Sequence, residues 1–326
     1  MNRPDVRFQK QFESLTGFRP MGWQCRLFQR FVTDNVPEGC DIPTGLGKTS
    51  VLVIWLLAVV RQAEGDGVRL PRRLIYIVNR RTVVDQATEV VDRMRRRLLE
   101  PDGAEWNVHS KTLRSIASAL QDLCTVAGSP LAVSTLRGEL ADNEEWKADP
   151  SRPAIVVGTI DMIGSKLLFS GYGDGRYGRA HHAGLVGQDS LIVHDEAHLT
   201  PAFSDLPRSV AEEQHRENPR NVEENAIVRP VRVLELSATS RPGSGASFTL
   251  ELEDEVEQVV RDRLGAAKRL RLHRVDPDQL VAEIVALASE HKEARAKILL
   301  YVRAPEQARQ VASALARSLG AGGEQH

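Results

Sequence analysis

The sequence predicts an α/β fold, a parallel sheet flanked by helices, followed by an incomplete second unit of the same kind. Two observations carry this. Aliphatic runs recur at Leu74-Ile-Tyr-Ile-Val78, Ala154-Ile-Val-Val157, Ser190-Leu-Ile-Val193 and Val231-Arg-Val-Leu-Glu-Leu236. Strands so continuous in aliphatic residues are buried on both faces, as in a parallel sheet covered by helices. Stretches of helical period stand between them, as over 82–99, where Val83, Val84, Ala87, Val90, Val91, Met94 and Leu98 share one face.

The chain of 326 residues is long enough for two domains. Pro242-Gly-Ser-Gly245 marks a break, which divides it into a first unit over 1–240 and a second over 241–326. In the second, 270–273 reads as a weak strand and 277–291 as a helix. Lys297-Ile-Leu-Leu-Tyr-Val302 reads as a strong strand and 305–319 as an amphipathic helix. The polar stretch over 211–224 reads as a solvated helix and loop. The segment 171–178, with glycine at 171, 173, 175 and 178, reads as a mobile loop, with stacking on DNA as the alternative.

Composition sets the frame. A net charge of −1 advertises no global field for nucleic acid, although a local patch suffices for binding. Cys25, Cys40 and Cys124 lie far apart without zinc spacing. They fit reduced thiols in a cytosol better than a disulfide framework. The apolar run 51–60 is too short to span a bilayer, so no membrane is expected as a partner.

The first chemical motif is Asp41-Ile-Pro-Thr-Gly-Leu-Gly-Lys-Thr49. Gly45 and Gly47 allow a tight turn that aims N–H groups at phosphate oxygens. Pro43, Thr44 and Leu46 complete the loop. Lys48 would reach the β- and γ-phosphates of ATP, and the Thr49 hydroxyl would ligate Mg²⁺. Ile42 stands where the strict pattern has its first glycine. The bland alternative is a glycine-rich turn before a core helix.

The second is Asp195-Glu-Ala-His198, at the carboxyl end of a strand, where doubly wound sheets place ligands. Asp195 would hold the metal shell, and Glu196 would orient the attacking water. Lys48, Asp195 and Glu196 are therefore the candidate catalytic set, with Thr49 and Asp195 toward the metal. His194 beside Asp195 also invites a metal-nuclease reading, and His181 with His182 a ligand pair; adjacent residues rarely reach one metal, so the pair reads as loop.

The third is Ser237-Ala-Thr239, closing the next strand. Upstream, Gln24 stands about twenty residues ahead of the loop and resembles the glutamine that reads adenine in a Q motif, with Phe18 or Trp23 to pack near the base; a capping or surface glutamine is the alternative. Arg80, Arg81 and Thr82 sit between a strand and a helix N-terminus, and Gly158, Thr159 and Asp161 at a second such junction. Both places suit a nucleic-acid backbone, and ordinary surface charge is the alternative for the arginines. The basic run at Arg93, Arg95, Arg96 and Arg97 reads as a solvated face.

Pro43-Thr-Gly-Leu-Gly-Lys-Thr49, with the Asp195-Glu-Ala-His198 box and Ser237-Ala-Thr239, resembles the superfamily 2 helicases with their RecA-like lobes. Ile75-Tyr-Ile-Val-Asn-Arg-Arg-Thr-Val-Val-Asp-Gln86, Ser134-Thr-Leu-Arg-Gly138, Val157-Gly-Thr-Ile-Asp-Met-Ile-Gly-Ser165, the His-Ala-Gly-Leu around Ala183 and Leu300-Tyr-Val-Arg-Ala-Pro-Glu-Gln-Ala308 narrow it. Together they are similar to the helicase component of type I CRISPR interference, nearest its subtype G, formerly U. The resemblance runs over about 11–319.

It implies ATP-driven, 3′ to 5′ translocation on single-stranded DNA and recruitment to an R-loop by a crRNA-guided surveillance complex. It also implies that His198, Ser237 and Thr239 couple the ATP site to the next lobe or to nucleic acid. The family's HD nuclease domain and later second-lobe motifs, its arginine finger among them, are not matched. A partner would then supply them, and the chain would bind ATP·Mg²⁺ but turn over slowly alone. A non-catalytic remnant that binds DNA or the complex, and another phosphate-loop enzyme such as a kinase or transporter ATPase, are the alternatives.

Overall fold

The computed structural model describes residues 5–136, 144–217, 229–238, 247–267, 269–292 and 298–319. Two compact units divide the chain, Met1–Ala266 and Ala267–His326.

The first unit opens with helices α1 (Val6–Thr16) and α2 (Gly22–Val32), strand β1 (Gly39–Asp41) and α3 (Val51–Ala63). Then follow β2 (Arg73–Val78), α4 (Arg81–Leu99), α5 (Ser110–Gln121), β3 (Ala132–Leu136) and α6 (Glu145–Ala148). Next come β4 (Ala154–Thr159), α7 (Ile160–Leu167), α8 (Arg176–Gly187), β5 (Ser190–Asp195) and α9 (Pro201–Glu217). It closes with β6 (Arg232–Ser237), β7 (Phe248–Thr249), α10 (Leu252–Val256) and α11 (Gln258–Leu264).

The seven strands form one sheet in the order β3-β4-β2-β5-β6-β1-β7. Every pairing is parallel, so all carboxyl ends lie along one edge. This is the RecA-like sheet the sequence predicts. Side chains alternate across it, as strand geometry requires. Leu74, Tyr76, Val78, Ile155, Val157, Leu191 and Val193 enter one core. Ile75, Ile77, Val156 and Ile192 enter the other.

All side chains of α3 from Val51 to Val60 are buried. A helix apolar on every side is stable only when enclosed. Here α1, α2 and α5 cover it, and its other side shares a core with Leu74, Tyr76, Leu191 and Leu234. No described helix is long and apolar enough to cross a membrane.

The first unit runs past 240. β7 pairs with β1, and α10 clasps α2: Arg26 pairs with Glu251 at 2.8 Å and with buried Asp254. The glycine break at 242–245 falls outside the described residues. The four predicted strands are present, but β3, β1 and β7 add three that aliphatic continuity does not mark. β1 and β7 are too short, and β3 carries polar Ser134 and Thr135 at its middle, where Thr135 Oγ1 meets Thr88 Oγ1 at 3.0 Å.

The stretch expected as a mobile loop is partly helix. α8 begins at Arg176 and carries His181 and His182, which are therefore helical and not loop residues. The helix expected over 211–224 is the end of α9, and 218–224 lie outside the described residues. The basic run of α4 is only partly solvated. Arg95 pairs with Glu145 at 2.9 Å, Arg97 donates to Ser14 O at 2.9 Å, and Arg96 and Arg97 both stack on Trp106.

The second unit holds α12 (Leu280–Ser289) and α13 (Pro305–Leu319), packed on each other. These match the two helices expected. The strands expected at 270–273 and 297–302 do not form among the described residues. A strand is stable only with a ladder partner that satisfies its backbone groups. None is formed among this unit's described residues, and Leu270, Leu272, Leu299 and Tyr301 stay in water.

One buried carboxylate organises the end of β3 nearest the amino edge. Asp149 accepts from Thr125 N at 2.9 Å, Val126 N at 3.1 Å and Ser151 N at 3.1 Å. Burial opposes its ionisation, but hydrogen bonds from Ser151, Thr125 and Val126 outweigh that and hold the carboxyl far below its ordinary value. Asp149→Ala leaves the Val126 and Ser151 N–H groups without their acceptor, each costing about 1–3 kcal/mol, while Thr125 N keeps Ser151 Oγ at 3.2 Å. Denaturant unfolding is expected to show a loss of at least about 2 kcal/mol. A depressed carboxylate stabilises the fold above its unfolded value near 4 and loses that as pH falls toward its folded value. The gap between variant and wild type therefore narrows in acid.

A candidate nucleotide site at the carboxyl edge of the sheet

β1 ends at Asp41, and the chain turns through 42–47 into a 3₁₀ turn, Lys48–Ser50, that leads into α3. Gly45 and Gly47 have φ of 88° and 77°, a region that side chains rarely adopt. A Cβ on Gly45 would meet nothing within 4 Å, so the loop's outer face is open. Leu46 is fully buried and anchors the loop, while Thr44 is exposed and Pro43 half-buried. Ile42 is fully buried as well, and its N–H donates to Ser237 O at 3.1 Å. The departure from the strict glycine pattern is thus a hydrophobic anchor that fastens the loop to β6.

Register brings the second motif alongside. β5 pairs with β6, Asp195 opposite Leu236, and β6 with β1, Ser237 opposite Asp41. Lys48 Nζ lies 3.4 Å from Glu196 Oε1 and is buried with no hydrogen bond. Asp41 Oδ2 is likewise buried without a hydrogen bond. An ammonium with unused donors under an open glycine loop fits a phosphate. Asp195 and Thr49 supply the hard oxygens that suit Mg²⁺.

Glu196 has φ 53°, a left-handed conformation uncommon for a residue with a side chain and one that turns the chain sharply after β5. Its Oε2 lies 3.4 Å from His198 Nδ1, and the same nitrogen lies 3.4 Å from Ser237 Oγ. Lys48, Glu196, His198 and Ser237 therefore stand in a row along the edge. Thr239 lies outside the described residues.

Tyr76 is the residue that the sequence reading passed over. Its hydroxyl donates to Asp195 Oδ2 at 2.6 Å and also meets the Thr49 side chain. One phenol therefore links the two oxygens expected at the metal. Burial pushes the Tyr76 phenol well above its ordinary value, and the Asp195 charge adds to that. Burial also raises Asp195 above the usual carboxylate range, with the Tyr76 hydrogen bond acting against it. The only signal was a lone phenol inside an aliphatic strand.

Gln24 is buried beside the loop. Its Oε1 accepts from Met21 N at 2.8 Å, and its Nε2 donates to Ser50 Oγ at 2.8 Å. It closes a capping box at the start of α2, and a Cβ on Gly47 would lie 3.5 Å from its Nε2. A cavity of about 670 Å³ opens here, lined among others by Phe18, Gln24, Gly47 and Thr49. It lies beside the phosphate loop and does not cover Lys48 or Asp195. Phe18 is 70% exposed while Trp23 is fully buried, so Phe18 is the ring available to a ligand. Arg263 of α11 donates to Gly45 O, a contact no motif announced.

The candidate nucleic-acid residues gather farther along the same edge. β2 and β4 are neighbours, Val78 opposite Thr159. Arg80 and Thr82 are exposed at the start of α4; the side chain of Arg81 is not among those described. Thr159 caps α7, and Asp161 is exposed in its first turn. Gly158 is closely packed, because a Cβ there would come within 3.1 Å of Ile163.

The other reactive residue types are structural. His194 is fully buried, with Ser204 Oγ at 3.2 Å and Thr200 Oγ1 at 3.0 Å and its ring edge-on to Phe203. The cysteines are free; burial pushes Cys40 up to about 12 and Cys25 up to about 11, so both stay thiols at neutral pH.

Comparison with known proteins adds a family. The family described as type III restriction enzyme, res subunit, matches residues 38–241. No curated protein matches. Among solved structures, the chain is similar to a DEAD box protein from the hyperthermophile Methanococcus jannaschii, with 13% identity, TM-score 0.42, and coverage of 97% of this chain and 76% of that one. The Pyrococcus furiosus Hef helicase domain gives 18%, 0.37, 92% and 55%. The DEAD-box helicase Mss116 bound to ssRNA and UDP-BeF gives 14%, 0.46, 89% and 51%. The chain thus spans about half the length of the last two.

Tyr76→Phe removes the donor to Asp195 while keeping the ring. Hydrogen bonds to charged groups contribute about 1.5–3 kcal/mol. Thermal unfolding without nucleotide is expected to show a loss of that size, with the fold intact by circular dichroism. An unchanged midpoint would mean that the phenol does not support Asp195.

Proposed function

The chain belongs to the family of the type III restriction enzyme, res subunit, a helicase-type ATP-dependent motor domain, and from that premise we propose that it binds ATP·Mg²⁺ and drives movement on single-stranded DNA. The observation that carries this reading is the buried Lys48 ammonium, 3.4 Å from Glu196 and without a hydrogen bond, beneath an open glycine loop. Neither a kinase nor a transporter reading explains Ser237 beside His198.

The residues divide the work as follows. Backbone N–H groups of 45–49 cradle phosphate oxygens, and Lys48 takes the terminal phosphate. Thr49 and Asp195 would hold Mg²⁺, which would neutralise phosphate charge. Tyr76 keeps Asp195 oriented. Phosphate at Lys48 frees Glu196 from its ion pair, and Glu196 then orients water and accepts its proton. His198 and Ser237 pass the state of Glu196 to β6. Gln24 and Phe18 face the base. Arg80, Arg81, Thr82, Gly158, Thr159 and Asp161 hold the strand by its backbone, with little base preference.

The finer assignment, to the helicase of type I CRISPR interference, is supported by the Ile75 to Gln86 and Val157 to Ser165 motifs. On that reading the chain works with a crRNA-guided surveillance complex.

Hydrolysis under single-turnover conditions, with and without single-stranded DNA, tests the proposal. Wild type is expected to hydrolyse ATP slowly and faster with DNA. Glu196→Gln is expected to cut the rate by about 10²- to 10⁴-fold, the usual contribution of a positioned base, with ATP binding retained. Glu196→Gln at the wild-type rate, or hydrolysis indifferent to DNA, would contradict it.

A further inference from the structure

The segment between α7 and α8 takes no part in the site above. It has glycine at 171, 173, 175 and 178, a composition that is floppy unless constrained. Here it is held from beneath. Asp174, at the turn, receives Lys166 Nζ at 2.8 and 3.0 Å and lies 2.8 Å from His182 Nδ1. Lys166 is on α7 and His182 on α8, so one carboxylate fastens the segment to both helices. The Asp174 and Lys166 side chains are 6% and 3% exposed, which makes the fastening a buried one. Asp174 N donates to Gly171 O at 3.1 Å, and a Cβ on Gly171 would collide with the Asp174 carboxylate.

The fastened segment presents rings to water. Phe169, Tyr172 and Tyr177 are 59%, 65% and 93% exposed. Phe169 has φ 56°, a conformation that costs a non-glycine residue about 1–2 kcal/mol. Such strain persists only where the surroundings impose it. Between and beside the rings stand Arg176 and Arg179, both exposed and without an ion-pair partner among the described residues. The segment's one acid, Asp174, is neutralised by Lys166. The exposed surface is therefore aromatic and positively charged.

Uncompensated guanidinium groups interleaved with open rings match unpaired bases on a charged backbone. α7 has 8 residues, roughly 12 Å at 1.5 Å per residue, and it begins directly after Thr159 at the carboxyl edge. The segment therefore stands one short helix from the residues proposed to hold the strand, on the side of the amino edge, where a Cβ on Gly187 would lie 3.8 Å from Leu167.

We propose that Phe169, Tyr172 and Tyr177, with Arg176 and Arg179, form a stacking platform for the unpaired bases of a single-stranded nucleic acid. This rests on the nucleic-acid reading of the proposed function and extends it beyond the sheet edge. The rings stack on base faces and the arginines pair with phosphates, so binding tolerates sequence and weakens with salt. The Lys166–Asp174–His182 contact keeps the rings displayed before the strand arrives, which spares ordering cost on binding.

Fluorescence anisotropy with labelled oligothymidylate and oligouridylate tests this on the full chain. The variants are Tyr172→Ala with Tyr177→Ala, Tyr172→Phe with Tyr177→Phe, and Arg176→Gln with Arg179→Gln. All these side chains are exposed, and melting curves check that each variant folds. Base stacking predicts a loss of at least about fivefold per ring for the alanine pair. The phenylalanine pair is expected to stay within about twofold of wild type, because it keeps the rings. The arginine pair should weaken binding and flatten its salt dependence. A loss on either strand supports the platform, and the two arms tell which sugar it takes. Wild type that binds while the alanine pair binds equally overturns the platform alone and leaves the surface to a protein. Equal losses for alanine and phenylalanine assign the effect to the hydroxyls and also overturn it. Wild type that binds neither strand overturns both the platform and the nucleic-acid reading.

Discussion

A parallel sheet delivers every strand's carboxyl end to one edge, and here β5, β6 and β1 arrive in register, with Asp195 opposite Leu236 and Ser237 opposite Asp41. The glycine loop after β1, the acidic pair after β5 and the serine closing β6 are thereby neighbours, though far apart in the chain. A slip of one residue in β6 would turn Leu234 and Leu236 out of their core, so the hydrophobic pattern that holds the sheet also holds the site. The anchor at Ile42 extends this control: one buried side chain and one N–H to Ser237 O fasten the loop to β6.

Charge at this edge is balanced within the chain. Lys48 is buried deeply enough that an isolated ammonium would be costly, and Glu196 supplies the counter-charge at 3.4 Å. A buried pair of this kind contributes little net stability, and it leaves donors on Lys48 unused. On the proposed function, phosphate displaces this contact. Asp195, lifted by burial and steadied by Tyr76, is the second group whose environment is compensated from within. The row from Glu196 through His198 to Ser237, each contact 3.4 Å, is the route to β6 that the proposed function uses.

Much of this was legible in the sequence, for identifiable reasons. Both chemical motifs lie beside strands whose aliphatic continuity is itself the signature of a parallel sheet, so motif and element support each other. What escaped was set by contacts distant in sequence. Nothing near Tyr76 announces that its hydroxyl meets Asp195, and nothing near Arg263 announces Gly45. Phe18 and Trp23 were equivalent until burial separated them. The run 297–302 has strand composition but lacks a ladder partner among the described residues, and composition cannot supply one. The glycines at 171–178 read as mobility because the carboxylate that fastens them is itself inside the segment, and its partners come from two helices.

The claim on which the rest depends is that the loop under Gly45 and Gly47 is a phosphate site with Lys48 at its centre. Titration calorimetry of a non-hydrolysable ATP analogue with Mg²⁺ tests it most directly, comparing wild type with Lys48→Ala. Loss of a buried, charge-assisted contact is expected to weaken binding at least about tenfold, with melting behaviour showing both chains folded. Equal affinity for the two chains, or no binding by wild type, would contradict it.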